Sequence, residues 1–175
     1  MATSAILTPE DANSVLALVL LVSGYAAQER GSSAIEPRDL LKAIYIVDLE
    51  HVQAFWEEWE DFERFVSGKR LAEAGSGYIN RTVYLVRVEI DLSQAPGGYF
   101  RGVGNLSEVV RGIIGEARML ASNRTGNPST PSSRDLLFSI CTRDPSLSKA
   151  LQDSGLNIES LTQAVRRTGK RPGGV

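Results

Sequence analysis

The hydrophobic pattern of the first half of the chain predicts three helices. The stretch 15–22 is apolar without interruption, so we expect a central helix that runs to about Gln28. A second helix is predicted from Pro37, where apolar residues recur at helical spacing. A third segment begins near residue 49 and combines six acids with an aromatic stripe, which favours an amphipathic helix with a solvated acidic face over an acidic docking surface. The stripe consists of Phe55, Trp59, Phe62 and Val66.

The periodicity changes in the middle of the chain. From Tyr84 to Leu92 apolar residues alternate with charged ones, which predicts a half-buried strand. A turn rich in glycine at 94–98 and a second short strand at 99–103 would complete a β-hairpin. Because an isolated hairpin is marginally stable in water, we expect this one to lie on the helices or to pair with another chain.

Helical spacing returns in the second half, where four more helices are predicted. Each begins with a residue whose side chain can accept hydrogen bonds from the first turn, or directly before such a residue. The expected starts are Leu106, Ser132 or Ser133, Asp144 and Asn157.

Composition and charge restrict the functional class. The 175 residues are 42% hydrophobic and 23% charged, as in ordinary globular proteins, and the net charge of -2 argues against general nucleic-acid binding. The longest apolar run has 8 residues, whereas a membrane-spanning helix needs about 20. The first residues lack the basic segment of a signal peptide, so we expect a cytoplasmic protein without a membrane span.

No residue pattern typical of catalysis stands out. Cys141 is the only cysteine and lies in an apolar stretch, which predicts a buried and inert thiol. His51 is the only histidine and is expected at the surface, although an enzyme of unrecognised type would need a polar pocket around it. Neither a phosphate-binding glycine loop nor a zinc-ligand spacing is present. We therefore expect no catalytic residues, no metal site and no cofactor.

One motif occurs twice. Arg38-Asp39-Leu40-Leu41-x-x-Ile44 recurs as Arg134-Asp135-Leu136-Leu137-x-x-Ile140, and each copy follows an apolar helix and a polar loop. We interpret this as an internal duplication. Repeat one would span 8–67 and repeat two 106–167, with the non-repeated insert at 68–105 between them.

The second copy resembles the Clp N-terminal repeat, which is found at the front of Clp-type AAA+ unfoldases and in small stand-alone relatives. The resemblance rests on Leu151-x-x-x-Gly155-Leu156-x-Ile158-x-x-Leu161, whereas the first copy matches only up to Ile44. It implies an all-α fold of two pseudo-symmetric helical repeats, here with a β-hairpin insertion. It also implies one domain over 1–167, followed by a flexible basic tail or linker at 168–175.

The resemblance implies a module that binds proteins and does not hydrolyse ATP. Family members that recognise phosphoarginine carry glutamates at two related places, where this chain has Arg38 and Arg134. Because a guanidinium site would then repel its ligand, we predict that phosphoarginine is not bound.

The candidate partner-binding residues are Arg38, Asp39, Arg134 and Asp135. They permit two interpretations: a local ion pair or cap at each helix start, or two arginines that flank one groove and hold an acidic peptide or a phosphate.

The sequence thus predicts a non-catalytic protein-binding module for adaptor or substrate recognition in a Clp-type chaperone or protease system. Its partner would be a Clp ATPase, an adaptor or a substrate, and neither nucleic acid nor membrane. The module would be a stand-alone regulator or the front of a longer ATPase. The alternative is a structural or assembly protein, a homo-oligomer that self-associates through the inserted strand at 83–92.

Overall fold

The computed structural model describes residues 3–4, 15–48, 52–56, 105–127 and 129–166. These residues are predominantly helical, which confirms the all-α prediction for them. Their helices are α1 (Val15–Glu29), α2 (Pro37–Val47), α3 (Glu108–Thr125), α4 (Ser133–Arg143), α5 (Pro145–Asp153) and α6 (Ile158–Arg166).

Some predictions fall outside the described residues and stay predictions. They are the aromatic stripe beyond Phe55, His51, the strand at 83–92 with its hairpin, and the tail at 168–175.

The helix starts in the second half follow the predicted caps. Asp144 accepts a hydrogen bond from the backbone N–H of Leu147 (3.0 Å), and Asn157 accepts one from that of Ser160 (3.0 Å). Ser107 caps α3 through the backbone N–H of Val110 (3.2 Å). Each of these side chains satisfies a donor that the first helical turn leaves without an intrahelical partner.

α1 is buried on nearly every side, as its uninterrupted apolar stretch predicts. Ten of its 15 residues are buried, whereas α3 buries five of its 18 residues and leaves Val109 and Met119 exposed. α1 packs on α2, and α3 packs on α4 and α6. Because α2 also contacts α4, the two pairs of helices share one hydrophobic core.

The segments that lead into α2 and α3 are joined by backbone hydrogen bonds. The N–H of Ile35 donates to Asn105 O (2.8 Å), and the N–H of Ser107 donates to Ile35 O (3.0 Å). The segment that leads into α3 also contains β2 (Asn105–Leu106), which pairs antiparallel with β1 (Thr3–Ser4). These contacts fix where α2 and α3 begin relative to each other.

A second connection runs from the end of the first half to the turn between α5 and α6. Gln53–Phe55 form a 3-10 turn rather than part of the predicted third α-helix. The next residue, Trp56, forms a backbone bridge with Leu156, in the turn between α5 and α6. The N–H of Asn157 donates to Phe55 O (2.8 Å), and Trp56 Nε1 donates to Ser154 Oγ (3.3 Å).

Small residues occupy buried positions in the helices at the centre. Ala43 in α2 and Ser139 in α4 are both fully buried. Ser139 Oγ has no hydrogen-bond partner among the described residues, whereas the buried Ser23 Oγ in α1 donates to Val19 O (2.6 Å). A buried hydroxyl without a partner keeps its desolvation cost uncompensated.

This difference predicts opposite effects for two matched variants. Ser139→Ala removes an uncompensated hydroxyl and should stabilise the fold, whereas Ser23→Ala removes a made hydrogen bond. Because alanine has the higher helix propensity at both positions, that contribution cancels in the comparison. We expect Ser139→Ala to exceed Ser23→Ala in free energy of unfolding by about 2 kcal/mol, measured by urea denaturation. Equal values for the two variants would contradict this assignment.

Candidate functional site

The first candidate residues lie at the start of α2. Asp39 is buried, and its carboxylate forms an ion pair with the guanidinium of Arg30, which lies directly after α1. Arg30 Nη2 donates to Asp39 Oδ2 (2.6 Å) and Arg30 Nε donates to Oδ1 (3.3 Å). The backbone N–H of Glu36 also donates to Oδ2 (2.9 Å), so Asp39 closes the loop between α1 and α2.

The start of α4 is built in the same way. Asp135 is fully buried and receives two hydrogen bonds from Arg124 in α3, Nη1 to Oδ1 (2.5 Å) and Nη2 to Oδ2 (2.8 Å). The backbone N–H of Ser132 donates to Oδ2 (2.9 Å). Arg124 Nη1 further donates to Val165 O (3.2 Å), so this guanidinium joins α3, α4 and α6.

The charges in both pairs are held tightly. The hydrogen bonds from Arg30 to Asp39 and from Arg124 to Asp135 are the main reason that the pKa of each guanidinium is raised, and the Coulombic attraction adds to them. Burial acts in the opposite direction. A bidentate charge-assisted pair of this kind fixes the orientation of both side chains, and with it the path of the intervening loop.

Further features recur in the two helix pairs. Gly31 and Gly126 follow α1 and α3 with positive φ angles of 73° and 76°, a conformation that glycine adopts without strain. At the ends of α2 and α4, the N–H groups of Asp48 and Asp144 donate to Ile44 O and Ile140 O, both at 2.9 Å. The main difference is in the loops, since the ion pairs span 9 and 11 residues.

The structure separates the four candidate residues into two kinds. Asp39 and Asp135 are buried and form ion pairs with Arg30 and Arg124. Their carboxylates therefore position the helix starts and do not face a partner directly. The local-cap interpretation therefore describes the aspartates. The arginines next to them are more accessible, and Arg134 is exposed.

Arg38 and Arg134 have different surroundings. Arg38 Nη2 lies 3.1 Å from Glu36 Oε2, which also lies 3.0 Å from Arg30 Nη2. The guanidinium of Arg134 has no hydrogen-bond or ion-pair partner in the part of the chain that the structure describes. The two arginines thus share a helical position but not a charge environment.

Sequence reasoning missed the two arginines that hold the aspartates. Arg30 and Arg124 lie at the ends of helices, where a basic residue is ordinarily explained by the helix dipole. A signal was present, since each buried aspartate is preceded by an arginine at nearly the same distance, across a loop that begins with a glycine.

Cys141 is buried, as predicted. Burial is the main reason that the pKa of its thiol is raised from 9.0 to about 11, and the negative charge of Asp144 raises it further. The hydrogen bond with Ser148 acts in the opposite direction. Since the thiolate is the nucleophilic form, the thiol is unreactive near neutral pH.

The described residues contain neither a candidate metal-binding cluster nor a helix that could cross a membrane. None of their groups of three or more histidine, cysteine, aspartate or glutamate side chains could hold a metal ion. Among the same residues, every helix is too short or too polar to cross a membrane.

No family model, curated protein or solved structure matches the chain. The likeness to the Clp N-terminal repeat therefore stays a prediction that rests on the residues quoted above.

The buried pairs lead to a stability prediction. Asp135→Asn leaves the largely buried guanidinium of Arg124 without its counter-charge, so we expect it to lower the free energy of unfolding by about 3 kcal/mol. Asp39→Asn should lower it less, because Glu36 Oε2 remains 3.0 Å from Arg30 Nη2. Asp153→Asn is the matched control, because its exposed pair with Lys149 should contribute less than about 0.5 kcal/mol. Urea denaturation measures all three, and similar small losses throughout would refute the structural role of the pairs.

The Cys141 thiol leads to a prediction for reactivity and pH. Labelling of the folded protein by a disulfide reagent near pH 8 should be slow and become fast in guanidinium chloride. Because the folded state keeps the thiol proton to a higher pH than the unfolded state, this stabilising contribution is complete below pH 9 and is lost as the pH rises towards 11. Cys141→Ser should remove that pH dependence, and rapid labelling of the native protein would contradict the assignment.

Proposed function

We propose that the chain is a duplicated helical module that binds proteins, with a role in adaptor or substrate recognition in a Clp-type chaperone or protease system. The observation that carries the proposal is the recurrence of one set of contacts in two pairs of helices. In each, a buried aspartate at the third position of a helix binds an arginine at the end of the preceding helix. Each buried charge requires a partner of opposite charge across the loop. Chance alone rarely places such a pair at two related positions.

The burial pattern of α1 and α3 supports the duplication independently. Counted back from Arg30 and Arg124, each of the five buried positions of α3 has a buried counterpart in α1, which buries five further residues. The paired positions are Leu16 and Val110, Val19 and Ile113, Leu20 and Ile114, Ser23 and Ala117, and Ala27 and Ala121.

The residues that carry the Clp-like pattern have structural roles. Leu151, Leu156 and Leu161 are buried in the core. Gly155 has a positive φ of 108°, and a Cβ atom there would lie 3.6 Å from the ring of Trp56. The Leu-x-x-x-Gly-hydrophobic pattern therefore ends one helix and buries the next turn, a role that supports the proposed fold relationship.

The part of the surface that could serve recognition includes Arg134 and two apolar side chains of α3. Val109 is 44% and Met119 55% exposed. Exposed arginine and methionine side chains are common in protein interfaces, and both residue types are enriched there relative to the remaining surface. These residues supply a testable surface for the proposal.

Capture of partners from a native lysate tests the function. The double variant Arg38→Ala/Arg134→Ala should lose an enriched Clp ATPase, protease or adaptor that the unchanged chain retains, because it removes both arginines at the helix starts. Lys149→Ala, which removes an exposed cation elsewhere, should retain the same proteins. Recovery of the chain alone would count against the proposal and favour self-association.

A further inference from the structure

Glu36 occupies an anion site within the protein itself. Its Oε2 atom lies 3.0 Å from Arg30 Nη2 and 3.1 Å from Arg38 Nη2, so one carboxylate oxygen joins the two guanidinium groups. The side chain of Glu36 is 39% exposed, which places this carboxylate at the protein surface. The positive charges of Arg30 and Arg38 are thereby balanced by Asp39 and Glu36.

The corresponding place at α4 lacks that carboxylate. Arg124 and Arg134 take the positions of Arg30 and Arg38, but Ser132 stands where the first site has Glu36. The polar loop 126–132 contains no acid. Two arginines and the single carboxylate of Asp135 leave an excess of one positive charge.

Within the described ranges, no second carboxylate pairs with Arg124 or Arg134. The third hydrogen bond of Arg124 goes to Val165 O, which is a neutral carbonyl, whereas the corresponding contact of Arg30 goes to a carboxylate. A guanidinium has five N–H groups, so Arg124 retains donors beyond its contacts with Asp135 and Val165. The exposed Arg134 contributes all five N–H donors of its own guanidinium.

We infer that the surface formed by Arg134, Ser132 and the exposed 12% of the Arg124 side chain binds a carboxylate side chain of an acidic peptide segment, in the place that Glu36 fills at the first site. The inference rests on the proposed function and deepens it, since it names the chemical class of the partner. Glu36 shows that the arrangement of two arginines accepts a carboxylate oxygen at about 3 Å from each.

The helix start alone does not create this site. The backbone N–H of Ser132 already donates to Asp135, and the hydroxyl of Ser132 lies 2.9 Å from the same carboxylate. The guanidinium groups therefore supply the attraction. It follows that the first site is closed by Glu36 and the second is open, so the duplicated module has one acidic-ligand site rather than two.

The test is a titration of the full chain, labelled with ¹⁵N, with an acetylated hexaglutamate peptide. The Nε–Hε signal of Arg134 should shift on binding, and that of Arg38 should not. The shift should diminish when salt is added, because exposed charges are screened. An acetylated hexaglutamine peptide of the same length should leave both signals unchanged.

Two variants of Ser132 separate charge from bulk. Ser132→Glu places an internal carboxylate between Arg124 and Arg134, as at the first site. It should weaken binding of the hexaglutamate peptide about tenfold or more. Ser132→Gln has nearly the same size without the charge and should change the affinity by less than about threefold. The Nε–Hε signal of Arg124 should also shift in the unchanged chain, and Arg134→Gln should abolish that shift.

The outcomes are distinct from those of the partner capture. Equal weakening by Ser132→Glu and Ser132→Gln, or no shift at Arg134, would overturn the carboxylate site. If the same chain still captures a Clp-type partner, the failure concerns this site alone. If acidic-peptide binding follows the expected order while no partner is captured, the site stands and the proposed function fails.

Discussion

The structure depends most on the buried ion pair between an arginine at the end of one helix and an aspartate at the third position of the next. Asp39 and Asp135 lie in the core, where an unpaired carboxylate would be strongly unfavourable. Each therefore requires its guanidinium, and each guanidinium restrains the loop that joins the two helices. The same carboxylates accept the N–H group of the residue at the helix start, so the pair also determines where α2 and α4 begin.

This constraint explains why the surface arginines occupy related positions. Once Asp39 and Asp135 are held inward, the residue before each must lie at the outer side of the first helical turn. The helical positions of Arg38 and Arg134 are thereby set by the core. The difference between them comes from the residue at the helix start, because Glu36 supplies a carboxylate at the first site and Ser132 does not.

Much of the fold could be predicted from the pattern of apolar residues. The central helix, the start at Pro37 and the caps at Asp144 and Asn157 all follow from local rules, and local rules suffice where the first turn satisfies its own donors. The 3-10 turn at 53–55 could not be predicted, because its backbone bonds with a segment distant in sequence. The ion pairs were missed for a similar reason. Periodicity reports which face of a helix is buried, but not which charged side chains meet across a loop.

In the proposed duplication, one anion site occurs twice and Glu36 closes one copy. The most direct measurement exchanges the two residues in a double variant, Glu36→Ser/Ser132→Glu, and follows the side-chain signals of both arginines during a titration with hexaglutamate. The peptide-induced shift should move from Arg134 to Arg38, while the affinity remains within about threefold of the original value. A shift that stays at Arg134, or that appears at neither arginine, would contradict this proposal.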